Sequence, residues 1–325
     1  MVKTRVGIFS PSNNLLKVYP NRCKTGIDNL KKIGFEVVFS TNYDRYNDYT
    51  KASVKERVKE IDELIKEKNI RFLISSIGGY VSIQILDYLD YDYIKKNNII
   101  FCGSSDITIL LLAIYYKTGN IMLYGPTYTV DLCNYEGIDN YTKDNLLLCY
   151  NKEPHKLLPS EVEVCEYIDW GELENKKRKR KVRKKENDWH IIKNGEANGK
   201  LIGGNLASIL LLLNTKYLDA SIFKDSILFL EDCETNILEL CSYFESLKIN
   251  NIFSLIKGLV IGKFDSSDLN TNIDAFLTDY FSEYSFPIIS NVDFGHISPV
   301  ATIPIGALST LKCDKNKIDF EIISY

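Results

Sequence analysis

Apolar residues in the first third of the chain come in short runs separated by helix-patterned stretches. The runs at 6–9, 35–40, 71–76 and 99–102 each read as a buried strand bounded by turn residues. Between them, residues 21–33 predict a helix, and Gly34 follows as its stop. Residues 53–68 place Val54, Val58, Ile61, Leu64 and Ile65 on one helical face, with Ser53 and Glu56 at capping-box spacing. Residues 81–89 predict a third helix, and an apolar helical pattern follows Asp106 at once. This alternation predicts an α/β fold: an N-terminal, mostly parallel, helix-flanked sheet of Rossmann-like type. In such sheets ligands gather at the carboxyl ends of the strands. The turns at Ser10, Gly78-Gly79 and Ser105 all lie at such ends.

The pattern then changes twice. Residues 126–165 are polar and tyrosine-containing, with Pro126, Pro154 and Pro159, and read as a crossing. Residues 176–185 carry nine basic residues in ten. Such a run reads first as a solvated loop, with a phosphate-facing loop or a nucleic-acid patch as alternatives. From Trp189 onward, many short apolar runs with Gly-rich turns predict a β-rich second domain. The expected organisation is 1–150 as the α/β domain, 151–190 as a connecting segment with the basic loop, and 191–325 as the β-rich domain.

At 325 residues, both units are long enough to have real cores. Hydrophobic content of 45% and a formal charge of −3 suit a globular protein and argue against a general polyanion binder, so no nucleic-acid partner is expected. Eight cysteines without a CxxC pair point to free thiols and a cytoplasmic location. No run reaches the ~18 apolar residues of a membrane span, and the N-terminus lacks a signal-peptide pattern.

The candidate chemistry centres on the turn after residues 99–102, Gly103-Ser104-Ser105-Asp106. A serine on such a strand-to-helix turn is raised clear of the sheet, with a helix N-terminus behind it. The simpler reading is that Ser105 or Asp106 caps the helix. Of three histidines, His155 and His190 sit in polar surroundings and read as surface residues. His296 closes Asn291-Val-Asp-Phe-Gly-His after a sharp turn at Gly295. Glu231 and Asp232 are delivered to the end of the apolar run 227–230, where Asp232 reads as a cap for the next helix. A serine nucleophile needs a base within reach, and the base needs an acceptor to fix its tautomer. Spacing alone does not join Ser105, Glu231 and His296. No HExxH or Cys/His pattern suggests a metal, and no cofactor is expected.

The ordered motifs do more. Gly7-Ile-Phe-Ser-Pro-Ser, Ser76-Ile-Gly-Gly, Gly103-Ser-Ser-Asp-Ile-Thr, Tyr124-Gly-Pro, Gly203-Gly-Asn-Leu, Ile227-Leu-Phe-Leu-Glu-Asp, Asn291-Val-Asp-Phe-Gly-His and Ile303-Pro-Ile-Gly run along nearly the whole chain. In this order they resemble the LD-carboxypeptidase family of serine peptidases, and within it the microcin C immunity branch. The resemblance implies a Ser-Glu-His triad of Ser105, Glu231 and His296. It also implies an oxyanion hole from the backbone amides of Asp106 and Gly79, and a small peptide or aminoacyl-nucleotide substrate. Ile77 stands where the murein-recycling enzymes typically carry arginine, which favours the immunity-type substrate over a murein tetrapeptide. Gly78, Asn205, Trp170 and Trp189 are the candidate substrate contacts, and a homodimer is the family expectation.

Overall fold

The computed structural model describes residues 4–44, 52–166, 168–175, 178–185, 189–264, 267–315 and 317–325. The N-terminal strands are β1 (Thr4–Phe9), β2 (Phe35–Phe39), β3 (Ile70–Ser75), β4 (Ile100–Gly103) and β5 (Met122–Tyr124). The rest are β6 (His155–Leu157), β7 (Val162–Val164), β8 (Val182–Lys184), β9 (His190–Lys193), β10 (Gly195–Asn205), β11 (Ser226–Glu231), β12 (Gly258–Lys263), β13 (Ile288–Gly295), β14 (Ile303–Ile305), β15 (Leu308–Asp314) and β16 (Lys317–Ser324).

The first sheet has the order β14-β5-β4-β3-β1-β2, with β1 to β5 all parallel. Its flanking helices include α1 (Pro20–Lys32), α2 (Val54–Lys66), α3 (Tyr91–Lys96) and α4 (Ile107–Thr118). Helix α2 carries the expected capping box: Ser53 Oγ accepts from Glu56 N while the Glu56 carboxylate accepts from Ser53 N. The segment read as a helix at 81–89 is a single 3₁₀ stretch, Ser82–Tyr88. Its first N–H is bound by a carboxylate from another element, Asp106 Oδ2, at 3.0 Å.

The second sheet is mixed, with the order β6-β16-β15-β10-β11-β12-β13-β9 and a parallel centre from β10 to β13. Two features of the chain cross between the units. Strand β14 returns to the first sheet and pairs antiparallel with β5. Strand β6, within the segment expected to be a connection, forms an edge of the second sheet against β16. The polar crossing also holds a helix, α5 (Asn140–Tyr150), capped by Asp139, whose side chain accepts from Tyr141 N.

Helix α4 explains how the halves meet. Every residue from Ile107 to Ile114 is buried, so its first two turns offer no face to water. It packs on the first sheet and also meets β10 of the second, where Thr108 Oγ1 accepts from Asn205 N at 3.0 Å. The described part of the basic run, 178–185, is not a loose loop. Strand β8 pairs antiparallel with β7, and Arg183 meets Glu163 while Arg178 forms a two-pronged pair with Glu166. Residues 176 and 177 lie outside the described residues. Among the described residues, no helix is long and apolar enough to cross a membrane.

Candidate active site

Ser105 follows β4 and precedes α4 with φ of +61°, a left-handed conformation that a non-glycine residue adopts only when its surroundings impose it. The turn at Gly78-Gly79 presses against it. A Cβ at Gly78 would lie 2.9 Å from Ser105 Cβ and 3.1 Å from its Oγ, so only glycine lets that turn come so close. The Asp106 and Gly79 amides have no intramolecular acceptor among the described residues. The Ser105 amide, by contrast, donates to Tyr124 Oη at 3.2 Å.

Tyr124 then donates from its hydroxyl to Glu231 Oε1 at 2.5 Å. Glu231 is fully buried at the end of β11, and its other oxygen, Oε2, lies 2.7 Å from His296 Nδ1. This closeness depends on Gly295, whose φ is +107°: a Cβ there would sit 2.6 Å from Glu231 Oε2. Asn205 adds a further donor to Glu231 Oε1 at 3.3 Å. Burial alone would push the Glu231 carboxyl up, but the His296 charge and the hydrogen bonds from His296, Tyr124 and Asn205 outweigh it and hold the pKa down. Burial likewise opposes the charged form of His296, yet Glu231 and the neighbouring Cys233 raise its pKa well above the ordinary value. Burial, then the Glu231 charge, keep Tyr124 neutral and so a proton donor.

Ser105 and His296 open on one cavity of about 950 Å³ at the carboxyl ends of both sheets, with Glu231 and Tyr124 buried behind them. Ser105, His296, Gly78, Gly79, Asp106, Asn205 and Trp170 line it. Trp170 stands at the start of α6 (Trp170–Asn175), edge-on to Tyr19, with the Arg22 guanidinium 5.7 Å from its ring centre. Trp189 does not reach the cavity. It is 6% exposed, packs on Phe320 and donates from Nε1 to Asp293 Oδ2 at 2.9 Å, because β9 carries it into the second sheet's core. Asn205 lines the cavity, but its side chain is already occupied. Oδ1 accepts from Ser208 N and Oγ, capping α7 (Leu206–Leu212), and Nδ2 donates to Glu231 and Asp232.

The two expected caps are also redirected. Asp106 makes no side-chain bond to its own helix; its Oδ2 accepts from Ser82 N and Ser82 Oγ instead. Asp232 does not cap α8 (Ile237–Ile249), where Asn236 does that work with Glu239. Asp232 binds Ala207 N at 2.9 Å, steadying the start of α7. His155 and His190 take no part: the first meets Glu153 O and the second Asp274. Tyr124 is the residue that sequence reading missed. Its place in the Tyr-Gly-Pro run was visible, but nothing local shows that its hydroxyl spans β4 and β11. Replacing Tyr124 with Phe should lower kcat by about tenfold with KM little changed, since it removes one hydrogen bond to a buried charge and one to the Ser105 amide. Steady-state kinetics with thermal unfolding as control would check this; a loss confined to stability would refute it.

A serine on a strained elbow, two amides beside it without an acceptor among the described residues, and a carboxylate-bound histidine in the same cavity are an arrangement that suits a hydrolase working through a serine. The family models match in both halves: the LD-carboxypeptidase N-terminal domain over residues 6–125 and the LD-carboxypeptidase C-terminal domain over residues 198–311. The chain belongs to the LD-carboxypeptidase family and is a serine carboxypeptidase. It is 30% identical to the microcin C7 self-immunity protein MccF of Escherichia coli, covering 96% of this chain and 92% of that one. Among solved structures it is similar to an MccF-like protein from Bacillus anthracis, with a TM-score of 0.90, 33% identity and coverage of 99% and 97%. It is also similar to MccF in complex with glutamyl sulfamoyl guanosine, with a TM-score of 0.89, 28% identity and coverage of 100% and 97%. A further MccF structure holds aspartyl sulfamoyl adenosine, with a TM-score of 0.89, 28% identity and coverage of 100% and 97%.

Proposed function

We propose that this chain cleaves aminoacyl- or peptidyl-nucleotides of the microcin C type, with Ser105, His296 and Glu231 as its triad. The observation that carries the reading is the 2.7 Å contact between His296 Nδ1 and the buried Glu231, in one cavity with the strained Ser105. Ser105 Oγ attacks the acyl carbonyl, and its proton passes to His296 Nε2. The C–N bond breaks as His296 hands that proton to the leaving nitrogen. Water then attacks the acyl ester as His296 accepts its proton, and the C–O bond to Ser105 breaks as His296 returns that proton to Ser105 Oγ, releasing the acid. Glu231 keeps the Nδ1 proton in place and stabilises the imidazolium. The amides of Asp106 and Gly79 meet the oxyanion. The Ser105 amide is already tied to Tyr124 and takes no part.

The nucleotide half of the reading rests on Trp170 and on the aminoacyl sulfamoyl nucleosides held by MccF. An indole at the cavity wall offers a face to a base, and stacking of this kind contributes about 1–3 kcal/mol. Trp170→Ala is therefore expected to raise KM for aspartyl sulfamoyl adenosine at least about tenfold while leaving a murein tetrapeptide unaffected. An equal change for both substrates would remove Trp170 from the nucleoside site. The deciding experiment for the whole reading is side-by-side hydrolysis of those two compounds: preference for the tetrapeptide would transfer the assignment to murein peptides. A cytoplasmic homodimer completes the proposal; the eight free thiols support a reducing compartment.

A further inference from the structure

Lys263, Arg180 and His296, at the cavity wall, each pair with an acid. Lys263 pairs with Asp293 at 3.3 Å, Arg180 pairs with Glu136 at 2.6 Å, and His296 pairs with Glu231. The acids divide differently. Glu163 and Glu166 meet arginines of the β7–β8 hairpin, and Asp293 meets Lys185 and Lys263. Both oxygens of Asp232 accept from N–H groups of Ala207, Asn205 and Cys233. Asp131, like Asp106, has one oxygen without a bond among the described residues. Only its Oδ2 is engaged, by Thr127 N at 2.7 Å and Thr127 Oγ1 at 3.4 Å, and no cation pairs with it among the described residues.

Asp131 sits in a single π-helical turn, Tyr128–Leu132, that packs against the carboxyl end of β3. Thr129 fixes that turn by donating to Ser76 O from both its amide, at 2.9 Å, and its hydroxyl, at 2.5 Å. The carboxylate is therefore rigidly placed in the wall of the cavity that holds Ser105 and His296. Burial without a paired cation pushes its pKa up to about 6, against the pull of the Thr127 amide and the more distant Arg180 and His296 charges.

We propose that Asp131 is the receptor for the free α-ammonium group of the substrate's acyl residue, and so selects aminoacyl over N-acylated substrates. The inference rests on the amide-hydrolase reading of the site and deepens it. An aminoacyl group whose carbonyl faces Ser105 carries its ammonium on the adjacent carbon. In a peptide cut at an internal residue the same nitrogen is an uncharged amide. A carboxylate with one oxygen open forms a charge-assisted bond to the first and none to the second. A site that provides such a partner discriminates strongly against a ligand that leaves it unpaired.

The test compares the wild type with Asp131→Asn on aspartyl sulfamoyl adenosine, its N-acetyl derivative, aspartyl anilide and a murein tetrapeptide. The wild type is expected to favour the free amine over the N-acetyl nucleoside by roughly tenfold to hundredfold in kcat/KM. Asp131→Asn should bring that ratio to within about threefold, mainly by raising KM for the free amine, with the N-acetyl compound as internal control for folding. A ratio unchanged by Asp131→Asn overturns the assignment, even where both nucleosides are hydrolysed. The same amine dependence on the anilide, without preference for the nucleoside, would uphold Asp131 and reject the nucleotide reading. Turnover of the tetrapeptide alone would reject both.

Discussion

Ser105→Ala is expected to lower kcat by roughly ten-thousandfold or more, with the folded structure intact. On the proposed mechanism the hydroxyl is the only group that bonds to the acyl carbon, so no other side chain replaces it. The residual rate should come from the amides of Asp106 and Gly79 and from substrate positioning, which survive the change. KM should move little, because the missing oxygen contributes to the transition state and hardly to ground-state binding. Stability should hold as well. The backbone of residue 105 is fixed by the hydrogen bond its N–H donates to Tyr124 Oη and by that from Thr108 N to Ser105 O at 2.9 Å, neither of which involves the Ser105 side chain. Single-turnover hydrolysis of aspartyl sulfamoyl adenosine, with mass spectrometry for an acyl adduct, would measure this. Full activity in the alanine variant would remove Ser105 from the chemistry.

Glu231→Gln should cost about a thousandfold to ten-thousandfold in kcat and also move the pH profile. A glutamine must accept from Tyr124 with its oxygen, so its NH₂ group faces His296 Nδ1. That favours the imidazole tautomer whose proton is on Nε2, where it cannot take the serine proton. The pH effect has a definite sign. In the wild type burial disfavours the imidazolium, but the Glu231 charge outweighs it and raises the His296 pKa. The base form needed for attack therefore gains ground only as pH rises through that elevated value, and the acid limb of kcat/KM lies above the ordinary histidine range. Removing the carboxylate charge should shift the limb toward lower pH. A limb that stays in place would mean that another group sets it.

The pair of predictions depends on a part of the protein where reading the chain went far, and then stopped for identifiable reasons. Strands β1 to β4, α1 and the Ser53 cap follow from local patterning, because apolar period and capping chemistry act within a few residues. Helix α5 was hidden, since its Leu146-Leu147-Leu148 run lies in a polar, tyrosine-rich context without a clean helical stripe. The caps assigned to Asp106 and Asp232 failed for a shared reason. A carboxylate at a strand end has several helix N-termini within reach in the folded chain, and the nearest in sequence is not the one it meets. Trp170 and Trp189 flank the same basic run, yet one faces the cavity and the other the core. Local sequence does not separate them, because β9 pairing with β13 is what turns Trp189 inward.

The chain's own chemistry was enough to specify a serine on an elbow after an apolar strand, a glycine turn that could approach it, and an acid and a histidine each at a strand end. Those properties are local: they need a tight turn, a positive φ or an apolar run, all written in adjacent residues. That Glu231 meets His296 through a gap left by Gly295, that Tyr124 joins the Ser105 amide to that same carboxylate, and that Asp131 has one oxygen without a partner among the described residues are facts of another kind. The first depends on β11 and β13 flanking β12 in one sheet, and the second on two sheets meeting across α4, which brings residues 97 and 107 positions apart within hydrogen-bond range. Hydrogen bonds and ion pairs act over a few ångströms in space, and only the packed chain sets those distances.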